Sequence, residues 1–466
     1  MRHRKLTSHA EAWRILESST TMKGFCMRRQ TATALSFLLV IVTLTNVAST
    51  AQQSATSITR PDAVLKTTNE VLKKVSNLRK LEIKQPVKSG LKTKEEIGKH
   101  VLRDINESNT PEEFEASRKL LLKLGLIQKD FNLRDYLVKL LMEQVAGFYD
   151  PKTEEFFLAA WLELADQKTV MAHELVHSLQ DQHFDLKRFN KWPDGDSDAE
   201  LAAHALIEGD ATFVMIQYIF DQQGLSFDLN RFGSLTQFML STSNTTNEKE
   251  YPVLARAPAV LRESLQFPYV YGIGFVQEVL KNRSLQSVND IYRNLPASTE
   301  QILHPEKFLN GDLPVKIEMP DLNDAMGKDW KKIDTDIQGE FGLQIMLAEF
   351  TNNSASRKAA EGWGGDQYAL YENRKTGALI FVTFTTWDAD SDAREFFNLY
   401  GNRTERRYKL GAAVKLGADT RTYETREGLA ALEIKGKDVM IIEGAQSSEQ
   451  LQQIAKRLWQ SKKSVR

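Results

Sequence analysis

The chain has 466 residues, one cysteine and a formal net charge of −1 at pH 7. This near-neutral balance of acidic and basic residues gives no support for nucleic-acid binding. Because the one cysteine is Cys26, near the N-terminus, a disulfide framework and a thiolate zinc site are excluded from the rest of the chain. The length predicts two or three domains.

Residues 1–51 have the composition of a targeting region. A basic start at residues 27–30 precedes an apolar core at residues 35–44, and small residues at 49–51 precede Gln52. This order is typical of a signal peptide that is cleaved before Gln52. We therefore expect a secreted or periplasmic protein that has lost this leader.

An uncleaved membrane anchor is the alternative for the same segment. Residues 31–48 are just long enough to cross a bilayer, but Thr43, Thr45 and Asn46 interrupt the apolar core and favour cleavage. No other stretch of the chain is long and apolar enough to span a membrane. We expect no stable membrane span after signal cleavage.

Residues 52–145 are predicted to be a helical region that packs on the core of the protein. Amphipathic periodicity predicts helices over residues 63–78, 111–124 and 133–144, and the lysines of residues 88–99 predict a solvated basic loop. A propeptide is the alternative role for this region, although its helices are typical of a folded part of the protein.

Two short segments follow this helical region. Residues 147–153 predict a turn, and the apolar run at residues 155–159 predicts a strand. A strand at the edge of a sheet can bind an extended peptide by main-chain hydrogen bonds. This segment is the best candidate for such an edge, and a plain hairpin fits it equally well.

The most informative motif is His173-Glu174-Leu175-Val176-His177. Residues four apart lie on one face of a helix, so both imidazoles can reach one metal ion. Glu174 lies beside them, where it can take a proton from a water molecule at the metal. Apolar helix-compatible neighbours surround the pair, and buried histidines without a partner are costly. The motif therefore predicts a zinc ion with His173 and His177 as ligands and Glu174 as general base.

A hydrolytic zinc site needs a third protein ligand and an open position. One candidate is His183, which stands where some zinc peptidases place a third histidine, but Gln180 occupies the position of the glycine that turns their chain. Without that glycine the helix is expected to continue and to carry His183 away. The favoured candidate is Glu208, in the middle of a second apolar helical stretch.

These residues resemble the gluzincins, the zinc peptidases that combine a His-Glu-x-x-His helix with a later glutamate ligand. The sequence around His177 and around Glu208 also resembles that of secreted bacterial metallopeptidases of uncharacterised substrate, over roughly residues 145–310. The resemblance implies that His173, His177 and Glu208 bind zinc and that Glu174 is the general base. Gluzincins often carry an aspartate four residues after the glutamate ligand to orient a histidine, and that position is Thr212 here.

The sequence therefore does not assign the residue that orients a ligand histidine. Asp210, Thr212 and His204 are the candidates, and His204 is also an alternative ligand one turn before Glu208.

A second electrophile is expected beside the metal to stabilise the tetrahedral intermediate. Tyr271 and His304 are the predicted donors, and Tyr269 is an alternative. For each of these residues taken singly, a structural role is slightly favoured, as a core aromatic or as part of a capped turn.

The domain assignment follows from a change in pattern after Pro320. The resemblance implies that residues 146–335 form a mostly helical, zincin-like metallopeptidase domain with a small edge sheet. Residues 336–466 predict a small α+β domain, which contains no histidine and is expected to select substrate or to be structural. Its predicted strands cover residues 378–385 and 437–443, and its predicted helices cover residues 340–350, 390–400 and 447–461.

Two functions agree with these features. The first is a secreted or periplasmic zinc metallopeptidase, more typical of an endopeptidase than an exopeptidase, that acts on protein or peptide substrates. The second is a non-catalytic zinc-binding envelope protein that retains the fold. Glu174 favours the enzyme, because a structural zinc site does not need a general base. Nothing in the sequence indicates the oligomeric state or the cleavage specificity.

Overall fold

The computed structural model describes residues 19–20, 37–39 and 61–465, with gaps at residues 165–166, 191, 193–194, 230–231, 244–247, 250 and 411–414. The predicted signal peptide and its cleavage site lie outside the described residues, apart from two short strands. None of the described helices combines the length and the apolar character that a membrane span requires. The fold is α+β, as the sequence predicts.

The described part of the N-terminal region contains four helices, and three of them confirm the predicted ones. They are α1 (Pro61–Arg79), α2 (Lys94–Ser108), α3 (Pro111–Leu124) and α4 (Leu133–Gln144). Thr93 and Thr110 begin α2 and α3 by exchanging hydrogen bonds with the glutamate three residues later. Gly125 ends α3 in the left-handed conformation, with φ of 79°.

A small mixed sheet lies beside these helices. Its strands are β1 (Ser19–Thr20), β2 (Phe37–Leu39), β3 (Lys88–Lys92), β4 (Gly147–Asp150) and β5 (Glu155–Ala159), in the order β1-β2-β4-β5-β3. The predicted basic loop at residues 88–99 is wrong, because β3 pairs in parallel with β5 and α2 begins at Lys94. The predicted turn begins only after Asp150, because residues 147–150 pair with β5 in an antiparallel hairpin.

The central region is helical. It comprises α5 (Lys168–Phe184), a 3-10 helix (Leu186–Asn190), α6 (Ser197–Gln222), α7 (Leu235–Ser243), α8 (Pro252–Ala255), α9 (Ala259–Leu280), α10 (Leu285–Ile291), α11 (Thr299–Leu303) and α12 (Pro305–Leu309). Helix α5 packs against α1, α6 and β4, and α6 packs along α9. The helix with the histidine motif is thus covered on several sides.

Two glycines allow α6 and α9 to approach closely. A Cβ at Gly209 would lie 2.1 Å from the carbonyl carbon of Gly272, and one at Gly272 would lie 2.0 Å from the oxygen of Ala205. Overpacking of this kind forces backbone shifts that cost about 1–3 kcal/mol. We expect Gly209→Ala to lower the free energy of unfolding by about this amount, as measured by urea denaturation.

Gly233→Ala is the matched control, since a Cβ there would meet nothing within 4 Å. We expect it to change stability by less than about 0.5 kcal/mol. Equal stability of Gly209→Ala and wild type would contradict the close crossing of α6 and α9.

The C-terminal region is built on one large antiparallel sheet. Its elements are β6 (Val315–Glu318), α13 (Asn323–Met326), β7 (Trp330–Asp336), α14 (Gly339–Ala348), α15 (Asn353–Ala360), β8 (Trp363–Asn373), β9 (Leu379–Trp387), α16 (Asp390–Tyr408), β10 (Lys415–Leu416), β11 (Thr420–Thr425), β12 (Gly428–Lys435), β13 (Asp438–Ala445), α17 (Ser448–Leu458) and β14 (Lys462–Val465). Seven strands form the sheet in the order β10-β11-β12-β13-β9-β8-β7. The predicted strands and helices are confirmed, and Ser447 caps α17 as expected.

Both faces of this sheet are covered. Along β9 and β13, Phe381 and Ile441 point to one face, and Val382 and Ile442 point to the other. The first face shares a continuous apolar core with the helices around the histidine motif. The second face packs under α13 and α17.

A buried carboxylate ties this sheet to the beginning of α6. At the end of β7, Asp336 accepts a hydrogen bond from the backbone N–H of Ser197 at 2.9 Å. Burial raises the pKa of Asp336 to about 7, and neighbouring Asp334 adds to this, against the hydrogen bonds from Ser197 and Ile337. The C-terminal sheet therefore holds the N-terminus of the helix that carries Glu208.

This raised pKa predicts how stability depends on pH. Between the ordinary value of 3.8 and about 7, the folded protein holds a proton on Asp336 that the unfolded chain has lost. The contribution of this group to the free energy of unfolding therefore falls as pH rises through that window. Asp336→Asn stays neutral at every pH. We therefore expect its free energy of unfolding, measured by urea denaturation, to decline less steeply between about pH 4 and about pH 7 than that of wild type.

The control is Asp290→Asn, because the carboxylate of Asp290 is largely exposed. An unchanged pH slope in Asp336→Asn would show that Asp336 is ionised throughout the range.

Candidate metal centre

The histidine motif lies on α5, as predicted. The run from Val170 to Gln180 contains no proline or glycine and is entirely buried, so the helix continues through the motif. It ends at Asp185, which has a left-handed conformation with φ of 54°. The imidazoles of His173 and His177 lie on one face of this helix, with their ring centroids 4.6 Å apart.

Helix α6 brings Glu208 to the same point. His173 Nε2 lies 2.9 Å from His177 Nε2 and 3.0 Å from Glu208 Oε2, and His177 Nε2 lies 3.4 Å from the same oxygen. The three side chains are fully buried, and their ligand atoms lie within 4.8 Å of one another. The residues that the sequence predicts as metal ligands are therefore brought together by the fold.

The shape and chemistry of this cluster fit a zinc ion. Zinc bonds of about 2.0–2.1 Å in tetrahedral coordination separate neighbouring nitrogen or oxygen ligands by roughly 3.3 Å. The three distances between the ligand atoms are close to this value. Two imidazoles and one carboxylate are also a ligand set that hydrolytic zinc sites use, with a fourth position left for water.

The protonation states suit metal binding as well. Burial, with the neighbouring His177 adding to it, lowers the pKa of His173 to about 4, so its imidazole is neutral at pH 7. Burial raises the pKa of Glu208, but its interactions with His177 and His173 lower that pKa by more and hold it well below its ordinary value. A neutral imidazole and an ionised carboxylate are the forms that bind a metal.

Glu174 directly follows His173 on α5 and reaches the small sheet. Its Oε2 accepts a hydrogen bond from the backbone N–H of Tyr149, in β4, at 2.9 Å. The side chain is fully buried. The predicted general base is thus held between the motif helix and the sheet strand nearest to it.

His183 lies away from the cluster. Its Nε2 donates to the backbone oxygen of Glu82 at 2.8 Å. This follows from the uninterrupted helix through Gln180, which carries residue 183 past the face of α5 that bears His173 and His177. Of the two candidates for the third ligand, the structure brings Glu208 to the histidines.

The candidates for orienting a histidine have different surroundings. His177 Nδ1 lies 2.8 Å from Gln180 Oε1, a contact that the sequence pattern gave no reason to expect. Asp210 contacts Gln180 and Arg79 rather than a ligand histidine. The Thr212 hydroxyl has no hydrogen-bond partner among the described residues, and His204 lies 4.0 Å from Glu200.

The two predicted electrophiles are not brought to the cluster. Tyr271 packs against Phe267 and Phe341, and His304 pairs with Glu340 at 3.0 Å. Tyr269, two residues earlier on α9, instead faces His173, with ring centroids 6.1 Å apart. Residues two apart point to nearly opposite sides of a helix, so Tyr271 is directed away from the histidines.

Comparisons with known proteins give a family match in the C-terminal region. Residues 328–455 match a family described as Domain of unknown function (DUF8575). Neither the curated proteins nor the solved structures contain a match to the chain. The matched segment covers the large antiparallel sheet and lies outside the helices of the metal cluster.

Proposed function

We propose that this protein is a secreted or periplasmic zinc metallopeptidase with a zincin-like catalytic core. The observation that carries the proposal is the convergence of His173, His177 and Glu208, with Glu174 adjacent to the first histidine. The motif helix, the second helix that supplies the carboxylate and the mixed sheet beside them are the parts that such a core requires. The lowered pKa of the buried His173 and the lowered pKa of the buried Glu208 support zinc as the metal.

Different residues of the site have different roles in the proposed hydrolysis. His173, His177 and Glu208 would hold a zinc ion, which would supply a Lewis acid to activate water and to polarise the scissile carbonyl. Glu174 takes the proton from the attacking water and delivers it to the leaving amine nitrogen. The N–H of Tyr149 fixes one oxygen of the Glu174 carboxylate during both transfers.

Strand β4 supports an extended peptide as the substrate. Its outer edge pairs with Phe37–Leu39 in the antiparallel direction, with Phe37 opposite Tyr149. That edge therefore accepts main-chain hydrogen bonds from an extended segment next to Glu174. Removal of residues 1–51 would free the edge for substrate, and binding along a strand on both sides of the scissile bond is typical of an endopeptidase.

A structural zinc site is the second candidate. It is favoured by the complete burial of His173, Glu174, His177 and Glu208. Structural sites usually close the fourth position with a protein ligand. Among the described residues, the cluster contains three candidate ligands, which favours a catalytic zinc site over a structural one.

The test is proteolysis by protein purified from the cell envelope or medium, so that its natural N-terminus is retained. We expect about one zinc per chain, cleavage of casein, loss of cleavage with a chelator and recovery when zinc is added back. One zinc per chain without cleavage of casein or of unstructured peptides would support the structural site. A protein without zinc affinity would overturn both candidates.

A further inference from the structure

The environment of His177 contains a polar chain that reaches three other helical elements. Gln180 lies one turn after His177 on α5, and its Oε1 lies 2.8 Å from His177 Nδ1. Gln180 is fully buried, so a water molecule cannot replace this contact cheaply. Gln180 stands at the position where glycine would end the helix in the alternative zinc-site pattern.

The orientation of the Gln180 amide follows from its other contacts. Its Nε2 lies 3.0 Å from the backbone oxygen of Ile207 and 3.0 Å from Asp210 Oδ2. Both of these atoms are acceptors, so the amide nitrogen must face them and the amide oxygen must face His177. The oxygen then accepts the Nδ1 proton of His177, which leaves the Nε2 lone pair directed at the cluster.

Asp210 is itself held on both of its oxygens. Arg79 Nε donates to Oδ1 at 2.6 Å, and the hydroxyl of Tyr292 donates to Oδ2 at 3.0 Å. Asp210 and Arg79 are both fully buried, so the pair neutralises two charges that would be costly alone. The Gln180 amide is therefore fixed by groups from α1, α6 and the end of α10.

We infer that Gln180 is a positioning residue for the zinc ligand His177, and that Asp210, held by Arg79 and Tyr292, fixes the Gln180 amide. This inference rests on the proposed zinc site. The hydrogen bond fixes both the tautomer and the ring orientation of His177, which raises its affinity for the metal. His173 lacks this support among the described residues, because its Nδ1 has no hydrogen-bond partner there.

One consequence concerns the N-terminal helix. Arg79 is the last residue of α1, and its removal would leave Asp210 as an unpaired buried charge beside Gln180. Helix α1 is thus part of the support of the metal site. A propeptide that included α1 would disable the site when it was released.

The test measures zinc affinity rather than activity, by competition with a chelator in the purified protein. Gln180→Met keeps the length of the side chain and removes its polar atoms, and we expect zinc binding to weaken about 10- to 100-fold. Gln182→Met is the matched control, since Gln182 lies on the same helix but contacts Lys84 and Gln85. We expect Gln182→Met to bind zinc as wild type does.

A spectroscopic readout separates positioning from general loss of structure. With cobalt(II) in place of zinc, the visible d–d bands of Gln180→Met should shift, and those of Gln182→Met should match wild type. If Gln180→Met does not fold, Tyr292→Phe provides the test, because it removes one hydrogen bond to Asp210 with little change of shape. We then expect zinc affinity to fall roughly several-fold, because Asp210 loses one of the hydrogen bonds that hold it.

The outcomes distinguish this inference from the proposed function. Wild-type zinc affinity and an unchanged cobalt spectrum in folded Gln180→Met, or in folded Tyr292→Phe, would overturn the positioning role and leave the zinc site intact. Absence of zinc binding by the wild-type protein would overturn the proposed function itself.

Discussion

Glu174→Gln is expected to abolish proteolysis while zinc stays bound. Glutamine cannot take a proton from water, and loss of a general acid–base group lowers kcat about 10²- to 10⁴-fold. The amide oxygen of glutamine can still accept the hydrogen bond from the Tyr149 N–H, so the local structure should persist. The measurement is casein cleavage at saturating substrate, together with the zinc content of the same sample.

Glu154→Gln is the control for this substitution. Glu154 lies at the turn between β4 and β5, is partly exposed and pairs with Lys187 and Gln85. We expect its cleavage rate to equal that of wild type. A wild-type rate in Glu174→Gln would show that another group acts as the base, and loss of zinc in that variant would assign Glu174 a structural role.

Glu208→Ala is expected to cause the largest loss of zinc affinity. It removes the one carboxylate of the ligand cluster and leaves two histidines to hold the ion. The loss should exceed the roughly 10- to 100-fold that removal of a ligand's hydrogen-bond partner costs. Because zinc that binds only the folded state stabilises it, the variant should also lose the rise in Tm that added zinc gives wild type.

His183→Ala is the comparison variant for the third ligand. His183 donates to the backbone of Glu82, so its removal should leave zinc affinity unchanged. The opposite pattern, with zinc kept in Glu208→Ala and lost in His183→Ala, would move the third ligand to His183. Chelator competition on both variants decides between the two.

The residues of the candidate metal cluster were predictable from sequence because their arrangement is mostly local. His173 and His177 are one helical turn apart, and a helix through apolar residues places them together whatever the rest of the fold does. Glu208 is more distant, but its position in a long apolar helix indicated that it was buried. The departure from glycine at Gln180 also indicated correctly that α5 continues past the motif.

Other features depended on contacts between distant segments and were missed. Strand β3 has lysines at both ends and a glycine in the middle, and only its parallel pairing with β5 makes it a strand. The role of Gln180 depends on Asp210, 30 residues away, and on Arg79, which is 131 residues from Asp210. Local patterns carry no information about such pairs.

The sequence favoured Tyr271 over Tyr269 as the residue beside the histidines, and the structure places Tyr269 there instead. Helix α9 is buried along most of its length, with only a few of its residues partly exposed. An amphipathic pattern fixes which side of a helix faces the core, and a helix that is apolar on all sides gives no such indication. Only the packing of α9 against α6 shows that Tyr269 is the tyrosine beside His173.

X-ray absorption at the zinc edge, measured on the purified protein, identifies the atoms that bind the ion. An open catalytic site predicts two histidine nitrogens, one carboxylate oxygen and at least one solvent oxygen around the ion. Loss of the carboxylate contribution in Glu208→Ala would assign that ligand. A zinc ion enclosed by four protein ligands, or a protein that takes up no zinc, would contradict an open catalytic zinc site.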